Sequence, residues 1–249
     1  MTTSEAIAVV MAAGKGTRMK SELPKVLFPV LGRPMIEYVL DAIDAAGIGR
    51  VVVVVGYEAD RVRTALESKG GLDFALQAEQ LGTGHAVMSA REHIEGHEGP
   101  VLVVAGDSPL MQGPSLAALL TDYRRRPAAC IMGTIHRPDP TGLGRILRDA
   151  AGNFIGVVEE KDATAEQRRI TEVNMSYYVF HAPDLLAALG ELRTDNAQGE
   201  YYITDCPGHL LAAGKEVRAL PVLEACEALG VNTVDDLAAV EAELARQFS

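Results

Sequence analysis

Apolar positions along the chain alternate between two periods. Short runs within 5–11, 51–55 and 101–105 are almost continuously apolar and rich in valine, and 73–78 also looks like a strand. Such runs predict strands covered on both faces. Between them, 35–46, 58–68, 83–94 and 115–125 carry apolar residues at helical spacing. Gly47 and Gly70-Gly71 stand where two of those helices should stop. From 14 to 34, glycines and prolines recur too often for a regular helix. The second half is more mixed. Strands are predicted over 129–136, 145–149, 154–159 and 172–180, and helices over 183–192, 200–213 and 234–247.

Strands alternating with helices predict an α/β protein, Rossmann-like, with a mostly parallel or mixed sheet and helices on both faces. No internal repeat, low-complexity tract or linker divides the chain, so 1–249 is expected to be one domain. In such sheets ligands lie beyond the carboxyl ends of the strands. That directs attention to the loops after Met11, Ala78 and Ala105.

Composition narrows the chemistry. With 48% hydrophobic residues over 249 positions, a sizeable core forms without covalent staples. Lys and Arg number 23 against 34 Asp and Glu, a formal charge of −11. General affinity for nucleic acid or an anionic membrane needs the opposite balance. An anionic substrate must therefore be met by a few local cations and backbone amides. Cys130, Cys206 and Cys226 are odd in number and far apart, which fits neither a disulfide framework nor a thiolate zinc site. No apolar run reaches the roughly 18 residues of a membrane span. The opening segment carries Glu5 and no early Lys or Arg, so it reads as a first strand and not a secretory signal. A cytoplasmic location is expected.

The loop after the first strand reads Ala12-Ala13-Gly14-Lys15-Gly16-Thr17-Arg18-Met19, with Pro24-Lys25 following. Glycines let successive amides turn toward one point and let a polyanion approach the backbone. Arg18 and Lys25 add two cations, a combination suited to a triphosphate. The dinucleotide fingerprint fits poorly, because Met19 stands at its third glycine, and the Walker pattern is absent. Asp107, after the strand at 101–105, offers a hard carboxylate suited to Mg2+, although Asp-Ser-Pro also favours a simple turn. Gln77 carries a donor and an acceptor on one amide, which can pair with a polar ligand edge; a solvated loop glutamine is the plainer reading. His85 has no nucleophile beside it in sequence and reads as structural. Thr233-Val234-Asp235-Asp236 has capping-box spacing with Asp in place of Glu. Arg124-Arg125-Arg126 reads as a solvated helix end.

These segments resemble the sugar-1-phosphate nucleotidyltransferases, most of all the uridyltransferase half of the bacterial bifunctional N-acetylglucosamine-1-phosphate enzymes. The resemblance covers nearly the whole chain. The entry loop is followed, in the family's order, by Gln77-Ala78-Glu79-Gln80-Leu81-Gly82-Thr83-Gly84-His85, Gly106-Asp107-Ser108-Pro109, Gly142-Leu143-Gly144-Arg145, Glu159-Glu160-Lys161-Asp162, Asn196-Ala197-Gln198-Gly199-Glu200-Tyr201-Tyr202 and Gly230-Val231-Asn232-Thr233. It implies the nucleotidyltransferase, glycosyltransferase-A-like form of the fold, with a nucleotide half at 1–110 and a sugar half at 111–249. It also implies Mg2+-dependent transfer from UTP to a sugar 1-phosphate, N-acetylglucosamine 1-phosphate leading.

The implied roles are as follows. Arg18 and Lys25 are catalytic. Ala12, Ala13, Gly14, Lys15, Gly16, Thr17, Gln77, Gly82 and Thr83 bind the nucleotide. Gly142, Glu159, Asn174 and Lys161 bind the sugar, and Asp107 and Asn232 hold the metal. The chain departs from the pattern twice. Ala105 replaces a tyrosine before Gly106-Asp107, and Met175-Ser176 replaces Thr-Gly after Asn174. Both departures bear on the sugar side. The family's acetyltransferase β-helix has no counterpart before Ser249, which leaves open the oligomeric state and whether a separate acetyltransferase partners this chain. Expected partners are small-molecule substrates. Another nucleotide or acceptor, or a sensing module without catalysis, are the alternative readings.

Overall fold

The computed structural model describes residues 5–16, 19, 21–231 and 233–247. The first half builds β1 (Ile7–Met11), a 3-10 turn at Lys25–Leu27, the short pair β2 (Pro29–Val30) and β3 (Arg33–Pro34), α1 (Met35–Ala45), β4 (Arg50–Val55), α2 (Ala59–Leu66), β5 (Leu72–Leu76), α3 (Thr83–Ser89), α4 (Arg91–Ile94), β6 (Pro100–Ala105) and α5 (Gly113–Arg125). The second half adds β7 (Cys130–His136), β8 (Gly144–Arg148), β9 (Phe154–Val158), β10 (Glu172–His181), α6 (Ala182–Glu191), α7 (Cys206–Ala212), β11 (Val217–Leu220) and α8 (Val234–Gln247).

The main sheet runs β11-β7-β10-β6-β1-β4-β5, with β8 and β9 branching from β10. Strands β6, β1, β4 and β5 are mutually parallel; β10 is antiparallel to both β6 and β7. The mixed α/β sheet expected from the sequence is what forms. Because side chains alternate along a strand, the valine runs feed two cores at once. Ala8, Val10, Val51, Val53 and Val55 pack against α1, α2 and α5. Ile7, Val9, Val52, Val54 and Val103 pack against α3, α4, α6 and α7. A third cluster seats α8 on the β2–β3 hairpin and the start of α1 through Val240, Leu244, Val30 and Tyr38. No helix among the described residues is long and apolar enough to cross a membrane.

Two predicted helices differ, and short strands form where none was predicted. The helix expected over 83–94 breaks at Ala90 (φ −89°, ψ 4°) into α3 and α4. The helix expected over 200–213 begins only at Cys206. Residues 200–202 are held extended because the Tyr201 amide donates to Leu81 O and its carbonyl accepts from Gly84 N. Tertiary pairing there overrides local helical spacing. Strand β11 was not expected at all; its V-R-A-L alternation is only four residues long and ends at Pro221.

Candidate active site

The four parallel strands end side by side, at Met11, Val55, Leu76 and Ala105. The sheet ladder continues one residue further. Ala12 N donates to Val54 O (2.9 Å), Gln77 N to Val55 O (2.8 Å) and Gly106 N to Met11 O (2.9 Å). Each of the three loops is therefore launched from a fixed point. Between them lies a cleft of about 280 Å³. Ala13, Gly14 and Lys25 line it from the first loop, Gln77, Gly82 and Thr83 from the second, and Asp107 from the third. Ser176 and Glu200, from the second half of the chain, also line it.

In the first loop, Gly16 has φ +66°, and a Cβ there would lie 2.7 Å from Lys25 Cβ. Glycine thus allows Lys25 to fold back along the loop. Lys25 Nζ sits 2.6 Å from Asp107 Oδ2, joining the first and third loops. Ala12 is buried with its amide engaged by Val54. Lys15 leans over the Tyr57 ring at 4.9 Å and does not line the cleft. Thr17 and Arg18 lie outside the described residues.

The second loop is braced by long-range contacts invisible in its own sequence. Gln77 is 3% exposed, and its amide nitrogen donates to Gly82 O and to His85 Nδ1, each at 3.1 Å. What Gln77 presents to a ligand is therefore its carbonyl oxygen. His85 accepts that bond and stacks near Tyr201, with ring centroids 6.2 Å apart, which accords with a structural role. The Thr83 hydroxyl accepts from Ile203 N (3.1 Å).

Asp107 offers hard carboxylate oxygens at the cleft and already holds a cation, the Lys25 ammonium. That donor chemistry fits Mg2+. Asn232 lies outside the described residues. Its neighbours are informative: Met19, Leu110 and Val231 share one buried apolar cluster. The segments beside three of the expected functional positions therefore converge. The Thr233–Asp236 cap forms as the spacing implied, with Thr233 N donating to Asp236 Oδ2 (2.8 Å) and Asp236 N to Thr233 Oγ1 (3.2 Å).

The expected sugar residues separate into two groups. Glu159 and Asn174 flank Gly144. Glu159 Oε1 accepts from Thr204 Oγ1 (2.9 Å), and Asn174 Nδ2 donates to Tyr178 OH (2.7 Å). Burial, reinforced by Asp205 and Asp162 and opposed by the Thr204 bond, holds the Glu159 carboxyl above its ordinary value. Asn174 Oδ1 accepts from Ser176 N (3.2 Å), which ties this group to the cleft wall. Gly142 and Lys161 instead stand exposed. The Gly142 amide donates to Glu160 Oε2 (3.2 Å), and Lys161 Nζ contacts Gln198 Oε1 (2.5 Å) rather than a carboxylate. Arg145, only 1% exposed, pairs with Glu160 (2.6 Å) below them. The residues that sequence reasoning passed over are Thr204 and Tyr178, which orient Glu159 and Asn174. The two departures from the family pattern, Ala105 and Ser176, both line the cleft.

The parallel strands of this mixed sheet bring a glycine loop, a lysine, a glutamine and an aspartate to one cleft, which accords with a nucleotidyltransferase. The chain belongs to the family described as MobA-like NTP transferase domain, whose model matches residues 8–228. It is similar to the bifunctional protein GlmU of Pelotomaculum thermopropionicum, 47% identical over 240 residues, covering 96% of this chain and 52% of that protein. The bifunctional protein GlmU of Enterococcus faecalis is 44% identical, covering 90% of this chain and 49% of that protein. That of Brevibacillus brevis is 44% identical, with 97% and 52% covered. The chain spans about half the length of the curated relatives it matches. These relationships agree with the resemblance read from the motifs.

Proposed function

We propose that this chain transfers a uridylyl group from UTP to a sugar 1-phosphate, with N-acetylglucosamine 1-phosphate as the leading acceptor, giving a UDP-sugar and pyrophosphate. The single observation that carries the reading is the cleft itself, where Lys25 and Asp107 meet at 2.6 Å beside Gly14, Gln77, Gly82 and Thr83. We read 1–249 as one domain, with the nucleotide on 1–110 and the acceptor on 111–249. Support for the two-sided reading comes from Ser176 and Glu200, both in the second half, lining the same cleft as the first-half loops.

The acceptor phosphate is the nucleophile. Its second pKa lies near about 6, so it is largely dianionic at neutral pH and needs no general base. The barrier is the approach of two anions and the charge that gathers on departing pyrophosphate, so positioning and electrostatics carry the reaction. Amides of the 14–17 segment, with Arg18, hold the β- and γ-phosphates. Lys25 neutralises charge at the α-phosphate. The Gln77 carbonyl accepts from the base, beside Gly82 and Thr83. Glu159 and Asn174, oriented by Thr204 and Tyr178, bond to sugar hydroxyls, with Gly142 and Lys161 at the outer rim. Asp107 and Asn232 would hold Mg2+, which neutralises phosphate charge when bound.

The test is pyrophosphate release with Mg2+ across four nucleoside triphosphates and a set of hexose 1-phosphates. UTP with N-acetylglucosamine 1-phosphate should be turned over fastest. Preference for CTP or GTP would replace the base assignment. Tight UTP binding without release for any acceptor would identify a sensing module instead.

A further inference from the structure

Glu227 is 2% exposed, on a 3-10 turn at Ala225–Ala228, and the reaction proposed above gives it no role. Three donors converge on its carboxylate. Gln112 N donates to Oε1 (3.0 Å), while Ser115 Oγ (2.6 Å) and Glu224 N (2.8 Å) donate to Oε2. The buried Tyr177 phenol of β10 faces the same group; burial, together with the Glu227 charge, holds that phenol well above its ordinary pKa. A carboxylate is tolerated in such a place only where donors surround it, and removing it strands them.

The bonds join two segments of the cleft. Gln112 and Ser115 open α5, whose first turn carries no acid and whose own N-cap residue supplies no capping bond, so Glu227 caps it from 115 residues away. The loop that carries Asp107 is pinned at both ends, where Gly106 N donates to Met11 O (2.9 Å) and Gln112 N to Glu227. Between those anchors, Met111 N donates to Ser108 O (3.0 Å) and Gln112 Nε2 to Leu110 O (2.8 Å). Beyond Glu227, Ala228 O accepts from Arg137 Nη1 (2.7 Å), and Val231 shares a buried cluster with Leu110. Gln112 stands five residues after Asp107, and Glu227 five before Asn232. One buried carboxylate thus fastens the Asp107 loop to the stretch that leads to Asn232.

We infer that Glu227 is a positioning residue for the metal edge of the cleft: by holding the Asp107 loop at Gln112, it sets where the Asp107 carboxylate meets Mg2+. The inference rests on the metal role proposed for Asp107. It is tested by titration calorimetry of UTP, without acceptor, in EDTA and in excess Mg2+. The ratio of the two Kd values is the metal's contribution to nucleotide binding. Glu227→Ala should cut that ratio about tenfold, the lower end of what loss of an outer support costs a metal site, while Kd in EDTA stays at the wild-type value. Glu227→Gln keeps one acceptor oxygen and Ser115→Ala removes one bond of three, so each should cut it by less. Should the alanine variant fail to fold, these two decide the matter. Leu189→Ala is the control: it removes a buried contact from the α6 core, so it should lower Tm and leave the ratio unchanged. Wild-type ratios in the Glu227 and Ser115 variants, or equal losses with and without Mg2+, would overturn this assignment alone. A wild-type ratio of one would overturn the metal role of Asp107 and this assignment with it.

Discussion

Replacing Gly82 by alanine tests the architecture of the nucleotide side of the cleft. Gly82 has φ +111° and ψ 176°, a region essentially reserved for glycine. An added Cβ would lie 2.5 Å from Tyr201 O and 2.9 Å from both Glu200 Cβ and Tyr201 N. The backbone alone costs about 1–3 kcal/mol. The collision is with main chain, so the second loop and the 200–202 segment must part. That strains two bonds, Tyr201 N to Leu81 O (2.8 Å) and Gly84 N to Tyr201 O (2.7 Å), at about 1 kcal/mol each. The sum is about 3–5 kcal/mol. For a chain of this size each kcal/mol lowers Tm by about 2–4 °C, so a fall of about 6–20 °C is expected. Gly142→Ala is the matched control: φ is also positive (+82°), but no atom lies within 4 Å of the added Cβ. It should lose only about 1 kcal/mol. Scanning calorimetry measures both, and nucleotide titration should show weakened UTP binding for Gly82→Ala alone. Equal melting temperatures for the two variants would refute the claim that close approach to Tyr201, and not φ, makes glycine necessary at 82.

Other substitutions probe separate parts of the account. Asp107→Ala should abolish Mg2+-dependent pyrophosphate release while the circular dichroism spectrum is preserved; retained turnover would dismiss the metal role. Lys25→Met should lower kcat by about a hundredfold or more in steady-state assays, as expected for loss of a charge that acts on the transition state. At Glu172, burial acts to raise the pKa, but the Arg148 pair (2.7 Å) and the Thr134 bond (2.7 Å) outweigh it and hold it below 4.5. Its contribution is thus present above 4.5 and lost as pH falls through the lowered value. Urea titrations should show Glu172→Gln losing less stability than wild type across that acid range. Glu159 carries the opposite sign. Its raised pKa means that stability falls as pH rises from 4.5 through the folded value, so Glu159→Gln should gain stability near neutrality while acceptor KM rises.

Most of the frame was legible because it depends on local pattern. The valine runs of β1, β4 and β6 have no other reasonable environment than the centre of a sheet covered twice, and the glycines and prolines of 14–34 exclude a regular helix, as its short 3-10 turn and two-residue strands bear out. The first three site loops followed from those strands, since ligands gather at strand carboxyl ends. What remained hidden depends on partners far away in sequence. Tyr201 pairs with Leu81 and Gly84 across more than a hundred residues, and that pairing turned an expected helix into extended chain. The same distance conceals the engagement of the Gln77 amide nitrogen by Gly82 and His85, which changes what the residue can offer a base. Ser176 was visible as a departure from a motif, but its left-handed backbone appears only once the β10 register is known.

The most direct test of the central claim is a crystal structure with a non-hydrolysable UTP analogue, Mg2+ and N-acetylglucosamine 1-phosphate. The account predicts the triphosphate along the Ala13–Gly16 turn, the base against Gln77 and Gly82, the metal on Asp107 with Lys25 moved to the α-phosphate, and the sugar between Asn174 and Ser176. Nucleotide bound anywhere else on the molecule, or metal with no oxygen from Asp107, would contradict it.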